Sequence, residues 1–179
     1  MIKLNAKELR TTPVDPEAAR SVKRNPITII LDNVLDTYNI GSIFRLADAV
    51  AAEKVILCGE TLTPPNSRIK KASINTWNWL DWEYSPSANE AIKQIKRQAP
   101  STTIIAVEQD SRSKPFAQVT YEFPIALVVG HESNGVSKEV LDVADIIVEL
   151  PMWGINKSLN VMVSLGIVLY EVTKHLKNT

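Results

Sequence analysis

The sequence predicts an α/β fold, a mainly parallel sheet with helices on both faces. Three observations lead there. Short, continuous apolar runs rich in Ile and Val recur at 27–32, 54–58, 102–108, 125–130 and 145–151, and strands covered on both faces read this way because neither side meets water. Segments of helical periodicity separate them, which is the alternation of βα units. Gly and Asn gather at 33–45, 130–135 and 151–160, just past the carboxyl ends of strands, where such sheets hold ligands.

Each element follows in order. "ITIILD" (27–32) is β-branched and ends on polar residues, as a buried strand does. "NIGSIFRLADAVAA" (39–52) carries Ile40, Phe44, Leu46, Ala47 and Val50 near helical spacing. "KVILC" (54–58) is a second strand closed by Gly59, and "TLTPPNSRIKKAS" (61–73) reads as loop through Pro64-Pro65-Asn66. "TWNWLDWEY" (76–84) sets Trp77 and Trp79 in period two, the pattern of a half-buried or edge strand. "SANEAIKQIKRQ" (87–98) is a helix with Ser87 as cap and Glu90 completing a capping box. Strands at 102–108 and 125–130 follow, then a short helix at 137–144 capped by Ser137 and a strand at 145–151. A last helix from Ser158 closes the chain, with Ser158 as its cap and Lys174 and Lys177 suited to its negative end.

A chain of 179 residues supports one domain with a proper core; residues 1–25 are expected as a short basic extension and 26–179 as the domain. Twenty basic and twenty acidic residues cancel, which excludes a surface that grips polyanions everywhere. Local excesses remain in the first 25 residues, at Arg68, Lys70 and Lys71, and at Lys93, Lys96 and Arg97. Cys58 is the single cysteine, so neither a disulfide framework nor a thiolate metal site is available. No apolar run approaches the ~20 residues that span a bilayer, and the N-terminus lacks the apolar core of a secretion signal. A cytoplasmic protein without membrane association is expected.

The three polar loops carry the chemistry. In "DNVLDTYNIGSIFRLADA", Asn39 and Arg45 are six positions apart, about 600° of helix, so one helix would not present both on one face. Asn39 is therefore expected on the turn before the helix and Arg45 within it. "VVGHESNGVSKEV" leaves a strand at Gly130 and enters a helix after Gly135; it has neither the P-loop ending nor the GxGxxG pattern. A carboxylate at Glu132 is costly unless paired, and Arg45 is the partner expected for it. His131 stands alone, more suited to a surface or hinge position than to general-base work. "LPMWGINKSLNVMV" ends a strand at Pro151, turns at Gly154 and places Asn156, Lys157, Ser158 and Asn160 against an apolar stretch.

Taken together these loops resemble the SpoU (TrmH-like) RNA ribose 2'-O-methyltransferases of the SPOUT superfamily. The matching blocks are Asn39-Ile-Gly41 with Arg45-x-Ala47, Gly130-x-Glu132-x-x-Gly135, and Leu150-Pro151-Met152-x-Gly154 with Ser158-Leu159-Asn160-Val161. They occur in family order and span residues 27–172. The resemblance implies a SPOUT-type α/β knot (a deep C-terminal trefoil), a homodimer, S-adenosyl-L-methionine as cofactor and tRNA or rRNA as partner. It implies a cofactor pocket of Val107, Gly130, Leu150, Met152, Ser158 and Leu159, and catalytic roles for Arg45, Asn39, Glu132, Ser158 and Asn160. A ribose hydroxyl is a poor nucleophile until its proton leaves. The family assigns that step to Arg45, but a guanidinium with pKa above ~12 serves better by holding a phosphate and stabilising the forming alkoxide.

The sequence also departs from its relatives. Many of them carry an RNA-binding domain ahead of the catalytic one, and with about 25 residues before the first strand none is expected here. Lys157 stands where relatives often have a small or neutral polar residue, and Asn75 where Gly is usual. Two other readings compete: a non-catalytic knotted RNA-binding module, which a degraded Asn39, Arg45, Glu132 or Asn160 would favour, and a general nucleotide- or metabolite-binding α/β protein.

Overall fold

A computed structural model describes residues 3–11 and 14–176. Two short helices, α1 (Glu8–Thr11) and α2 (Pro16–Arg20), precede strand β1 (Asn25–Asp32). Helix α3 (Thr37–Ala49), strand β2 (Ala52–Cys58), helix α4 (Ser67–Ser73), a 3-10 turn at Thr76–Asn78 and strand β3 (Trp82–Ser85) form the first half. The second half runs α5 (Ala88–Gln98), β4 (Thr103–Val107), β5 (Lys114–Pro115), a 3-10 turn at Phe116–Gln118, β6 (Ile125–Gly130), α6 (Lys138–Leu141), β7 (Ile146–Glu149) and α7 (Val161–Thr173).

The seven strands lie in the order β3-β2-β1-β6-β4-β7-β5, and every pairing between them is parallel. The chain builds outward from β1 through β2 to β3, then returns past β1 and fills the space between β1 and β4 with β6. That reversal leaves a crevice at the carboxyl ends of the strands.

Side chains alternate across the sheet, so each strand feeds two cores. Ile27, Ile29 and Leu31 of β1 join Leu127 and Val129 of β6 under Ile40, Ile43 and Phe44 of α3 and Leu165, Val168 and Leu169 of α7. Ile30 points the other way, with Ile56, Ile104 and Val128, and is covered by Ala91 and Ile92 of α5 and Val140 of α6. Helices therefore stand on both faces, as the sequence predicts. Against α3, α4 packs closely: a Cβ on Gly41 would lie 2.5 Å from the Ala72 Cβ and 2.8 Å from the Ser73 nitrogen, so glycine permits the approach.

Several local expectations are corrected. Residues 61–73 are not all loop, because Asn66 accepts from the amides of Arg68 and Ile69 and starts α4. Residues 76–84 are not one strand: Thr76–Asn78 form a 3-10 turn, and pairing begins only at Trp82. Ser158 does not cap the last helix; Asn160 does, two residues later. Ser87 caps α5 as expected, with its hydroxyl 3.2 Å from the Glu90 nitrogen, whereas Ser137 precedes α6 without a side-chain bond. Lys174 pairs with Glu171, and Lys177 lies outside the described residues. No helix among the described residues is long and apolar enough to cross a membrane.

Candidate active site

Four strand ends define the site, and all four carry an acid at or just past the last residue; Glu149 ends β7 on the cleft wall, and the other three brace loops. Asp32 closes β1, Glu108 follows β4, and Glu132 stands two residues after β6. Each of these carboxylates accepts backbone amides from a loop, which satisfies donors that no ladder reaches. Asp32, 2% exposed, accepts from the Ser137 nitrogen at 2.8 Å. Glu108 accepts from the Val136 nitrogen at 2.8 Å. Together they hold the chain just after Gly135, whose φ of 69° belongs to the left-handed region that favours glycine.

Glu132 is bonded most heavily. Its carboxylate accepts from the amides of Leu35 at 3.1 Å and Asp36 at 2.9 Å, and from Asn39 Nδ2 at 2.9 Å. Partial burial alone would raise its pKa; the bonds from Asn39, Asp36 and Leu35 outweigh that and hold it below the usual carboxylate range. Asn39 continues the chain of bonds, its Oδ1 accepting from Asn160 Nδ2 at 3.0 Å. Asn160 in turn caps α7, with Oδ1 accepting from Met162 N at 2.9 Å and Val163 N at 3.4 Å. One run of side chains thus joins the loop after β6, the start of α3 and the start of α7. These positions are 93 and 121 residues apart in sequence.

This run borders a cleft of about 570 Å³ at the ends of β4, β6 and β7. Val107, Gly130, Leu150, Met152, Ser158 and Leu159 all line it, together with Glu132 and Asn160. Its lining mixes apolar residues with polar and charged ones, Glu108, Glu149 and Lys157 among them, and it falls within the ~300–1,000 Å³ range of small-molecule sites. Asn156 shapes the rim, its Oδ1 accepting from the Ser158 nitrogen at 3.2 Å, and Gln109 Nε2 donates to the Lys157 carbonyl.

Two expected placements differ. Asn39 is not on the turn before the helix but in the first turn of α3, buried to 5% exposure, and the cap there is Asp36. Arg45 does not pair with Glu132. It stands exposed on α3, outside the cleft lining, and forms no ion pair among the described residues. The six-residue separation from Asn39 accounts for it, since turning Asn39 toward Glu132 turns Arg45 away. His131 works within its own turn, Nδ1 accepting from the amides of Ser133 at 2.9 Å and Asn134 at 3.3 Å. Sequence reasoning missed Asp32 and Glu108; an acid ending an otherwise apolar strand is the signal that marks both.

A parallel α/β sheet with a small-molecule cleft at its strand ends, closed by loops from three distant segments, is the architecture of a ligand-binding α/β protein. Residues 26–170 match the model of the SpoU rRNA methylase family. The tRNA (guanosine(18)-2'-O)-methyltransferase of Thermus thermophilus is 31% identical over 153 residues, covering 85% of this chain and 77% of that protein. The protein of the same description from Escherichia coli strain K12 is 28% identical over 160 residues, with 87% and 67% covered. Among solved structures, the Aquifex aeolicus TrmH/SpoU tRNA modifying enzyme superposes with a TM-score of 0.77 at 29% identity, covering 95% of this chain and 81% of that one. The AdoMet-bound rRNA methyltransferase of Sinorhizobium meliloti gives 0.78 at 26% identity, covering 89% and 61%. The chain belongs to the SpoU rRNA methylase family.

Proposed function

We propose that this protein methylates a ribose 2'-hydroxyl in a structured RNA, tRNA or rRNA, as a cytoplasmic homodimer in which residues 26–179 form the catalytic domain and 1–25 an extension. The methyl donor is S-adenosyl-L-methionine, which supplies an electrophilic methyl carbon on a sulfonium. The observation that carries this reading is the bonded run Glu132–Asn39–Asn160 at the border of the cleft. Val107, Gly130, Leu150, Met152, Ser158 and Leu159 would hold the cofactor, the apolar members around its base and the backbone groups at its polar edges.

The chain's own residues do the rest. Glu132 fixes Asn39, and Asn39 fixes Asn160, so the amide dipoles near the reacting hydroxyl are set before substrate arrives. Ser158 lies on the cleft wall without a capping duty and is free to bond the ribose. Arg45 holds the phosphate beside the target ribose and stabilises the negative charge that develops on its 2'-oxygen, while the hydroxyl proton passes to solvent water.

Arg45 performs this role from the second protomer. Helix α7 buries Leu165, Val168, Leu169 and Val172 on the sheet, yet its opposite stripe of Val163, Ile167 and Tyr170 is exposed, as is Tyr38 at the start of α3. A helix apolar on both sides is one that is covered on both sides. Because α7 also lines the cleft through Val161 and Ser164, two copies meeting on their α3–α7 faces bring each Arg45 to the other's cleft. The C-terminal segment is assigned to a trefoil knot in the same proposal; the support is the contact of Gln109, just past β4, with the Lys157 carbonyl.

The test is transfer of isotopic methyl from S-adenosylmethionine to tRNA and rRNA. Transfer by the native protein and its loss in Arg45→Ala, with circular dichroism unchanged, is the expected result. Full activity in Arg45→Ala would remove the role given to that residue. Absence of both transfer and cofactor binding in the native protein would leave the non-catalytic module.

A further inference from the structure

The turn after α4 holds its backbone in an unfavourable shape. Ile74 has φ 52° and ψ 44°, and Asn75 has φ 66° and ψ 4°. Asn tolerates the left-handed region, but a β-branched residue there is an outlier. Strain of this kind persists where the surroundings hold it. Asn75 Nδ2 donates to the Leu9 carbonyl at 3.0 Å, across 66 residues of sequence, while its Oδ1 is buried without a partner. The contact with Leu9 is thus the one hydrogen bond, among the described residues, that orients this side chain.

The segment it holds has a shape of its own. Asn5 Oδ1 accepts from the amides of Lys7 and Glu8, and the Asn5 nitrogen donates back to Glu8 Oε2 at 2.6 Å, the reciprocal arrangement of a capping box. Glu8, the one acid between residues 3 and 11, is thereby turned to its own helix start, and Lys3 and Lys7 are left exposed. On α4, Arg68, Lys70 and Lys71 are exposed as well. Lys54, Lys96, Arg112, Lys138 and Lys174 each sit beside a carboxylate, but none of Lys3, Lys7, Arg68, Lys70 and Lys71 does among the described residues. Asn75 donates its own amide to the Lys70 carbonyl, so the anchored segment meets α4 at its basic end.

We propose that Asn75 fastens the N-terminal segment to α4 and so makes one continuous basic surface, built from Lys3, Lys7, Arg68, Lys70 and Lys71, that receives the phosphate backbone of the RNA substrate. It rests on the function proposed above for the class of partner. The surface is registered to the reaction centre because α4 is locked against Gly41 of α3, the helix that carries Asn39 and Arg45. In a chain of zero net charge, affinity for a polyanion depends on such local, internally uncompensated cations.

Two variants of the full chain test it. Asn75→Gly keeps a left-handed turn available and removes only the anchoring amide; Lys70→Ala/Lys71→Ala removes charge and leaves the anchor. Binding of unfractionated tRNA is followed by fluorescence anisotropy across a salt series, with S-adenosylmethionine affinity by calorimetry as the control for an intact cleft. Asn75→Gly is expected to speed amide exchange over residues 5–11 and to raise the tRNA Kd several-fold. Lys70→Ala/Lys71→Ala is expected to lower the slope of log affinity against log salt by about 1–2. If both variants bind tRNA with native affinity and slope, the surface is not an RNA site, even where exchange in Asn75→Gly has quickened. Native protein that binds tRNA through this surface but transfers no methyl group to RNA would overturn the proposed reaction and leave the surface standing.

Discussion

Glu132 shows how one side chain can be held in a charged state by its neighbours. Three donors, Asn39 Nδ2 and the amides of Leu35 and Asp36, converge on it, and the folded pKa lies below the ordinary glutamate value of 4.5 despite partial burial. A group depressed on folding stabilises the native state in full above its unfolded pKa and loses that contribution as pH falls through the folded value. Glu132→Gln cannot titrate and keeps only one oxygen as acceptor. The native protein should therefore exceed the variant in urea midpoint by a constant margin from pH 7 down to about 5. Below 4.5 the margin should shrink as the carboxylate protonates. A margin that stays flat to pH 3 would mean that Glu132 contributes through shape rather than charge.

Between elements, the decisive fastening is Asn160, which belongs to α7 as its cap and to α3 as the partner of Asn39. Two substitutions separate these duties. Asn160→Ala loses both, and should cost about 1–2 kcal/mol of stability for the cap. Asn160→Asp keeps an acceptor for Met162 and Val163 but can no longer donate to Asn39 Oδ1. Its thermal midpoint should stay close to native while methyl transfer falls about 10²-fold, the scale of a misplaced reacting group. Equal stability loss in both variants would show that the link to Asn39 supports the fold and not the site. Much of this level is legible in the sequence: five of the seven strands are continuous apolar runs, the edge strands β3 and β5 are not, and Asn39, Glu132 and Asn160 stand out in their loops. The rest turns on local competition between equivalent signals. Ser158 and Asn160 are both good caps two residues apart, and only packing of α7 on the sheet decides between them. Asn66 looked like the end of a proline-rich loop because α4 is only 7 residues long, too short for periodicity to register. Arg45 was matched to Glu132 because opposite charges attract on paper, while the helix that joins Asn39 to Arg45 turns them to different sides.

For the molecule as a whole, one protomer sets a cleft with its bonded amides on one side and an exposed guanidinium beyond its lining on the other, which the proposed reaction needs together. In the proposed dimer the exposed apolar stripe of Val163, Ile167 and Tyr170 would bring the two together, through a two-fold axis that pairs like surfaces. Two defective copies should then repair each other. An Arg45→Ala protomer has an intact cleft and lacks the arginine; an Asn160→Asp protomer has a disturbed cleft and an intact arginine. Co-expressed with different tags and purified through both, the mixed dimer holds one cleft with Asn160 that faces a native Arg45, and one cleft that lacks both. Each homodimer should be close to inactive and the mixed dimer should recover about half of native turnover. Adding Ile167→Glu to both copies places a charge in the shared face and should return monomers on sedimentation, with recovery abolished. If the mixed dimer forms and is as inactive as its parents, each Arg45 serves its own cleft, and α3 must move to deliver it.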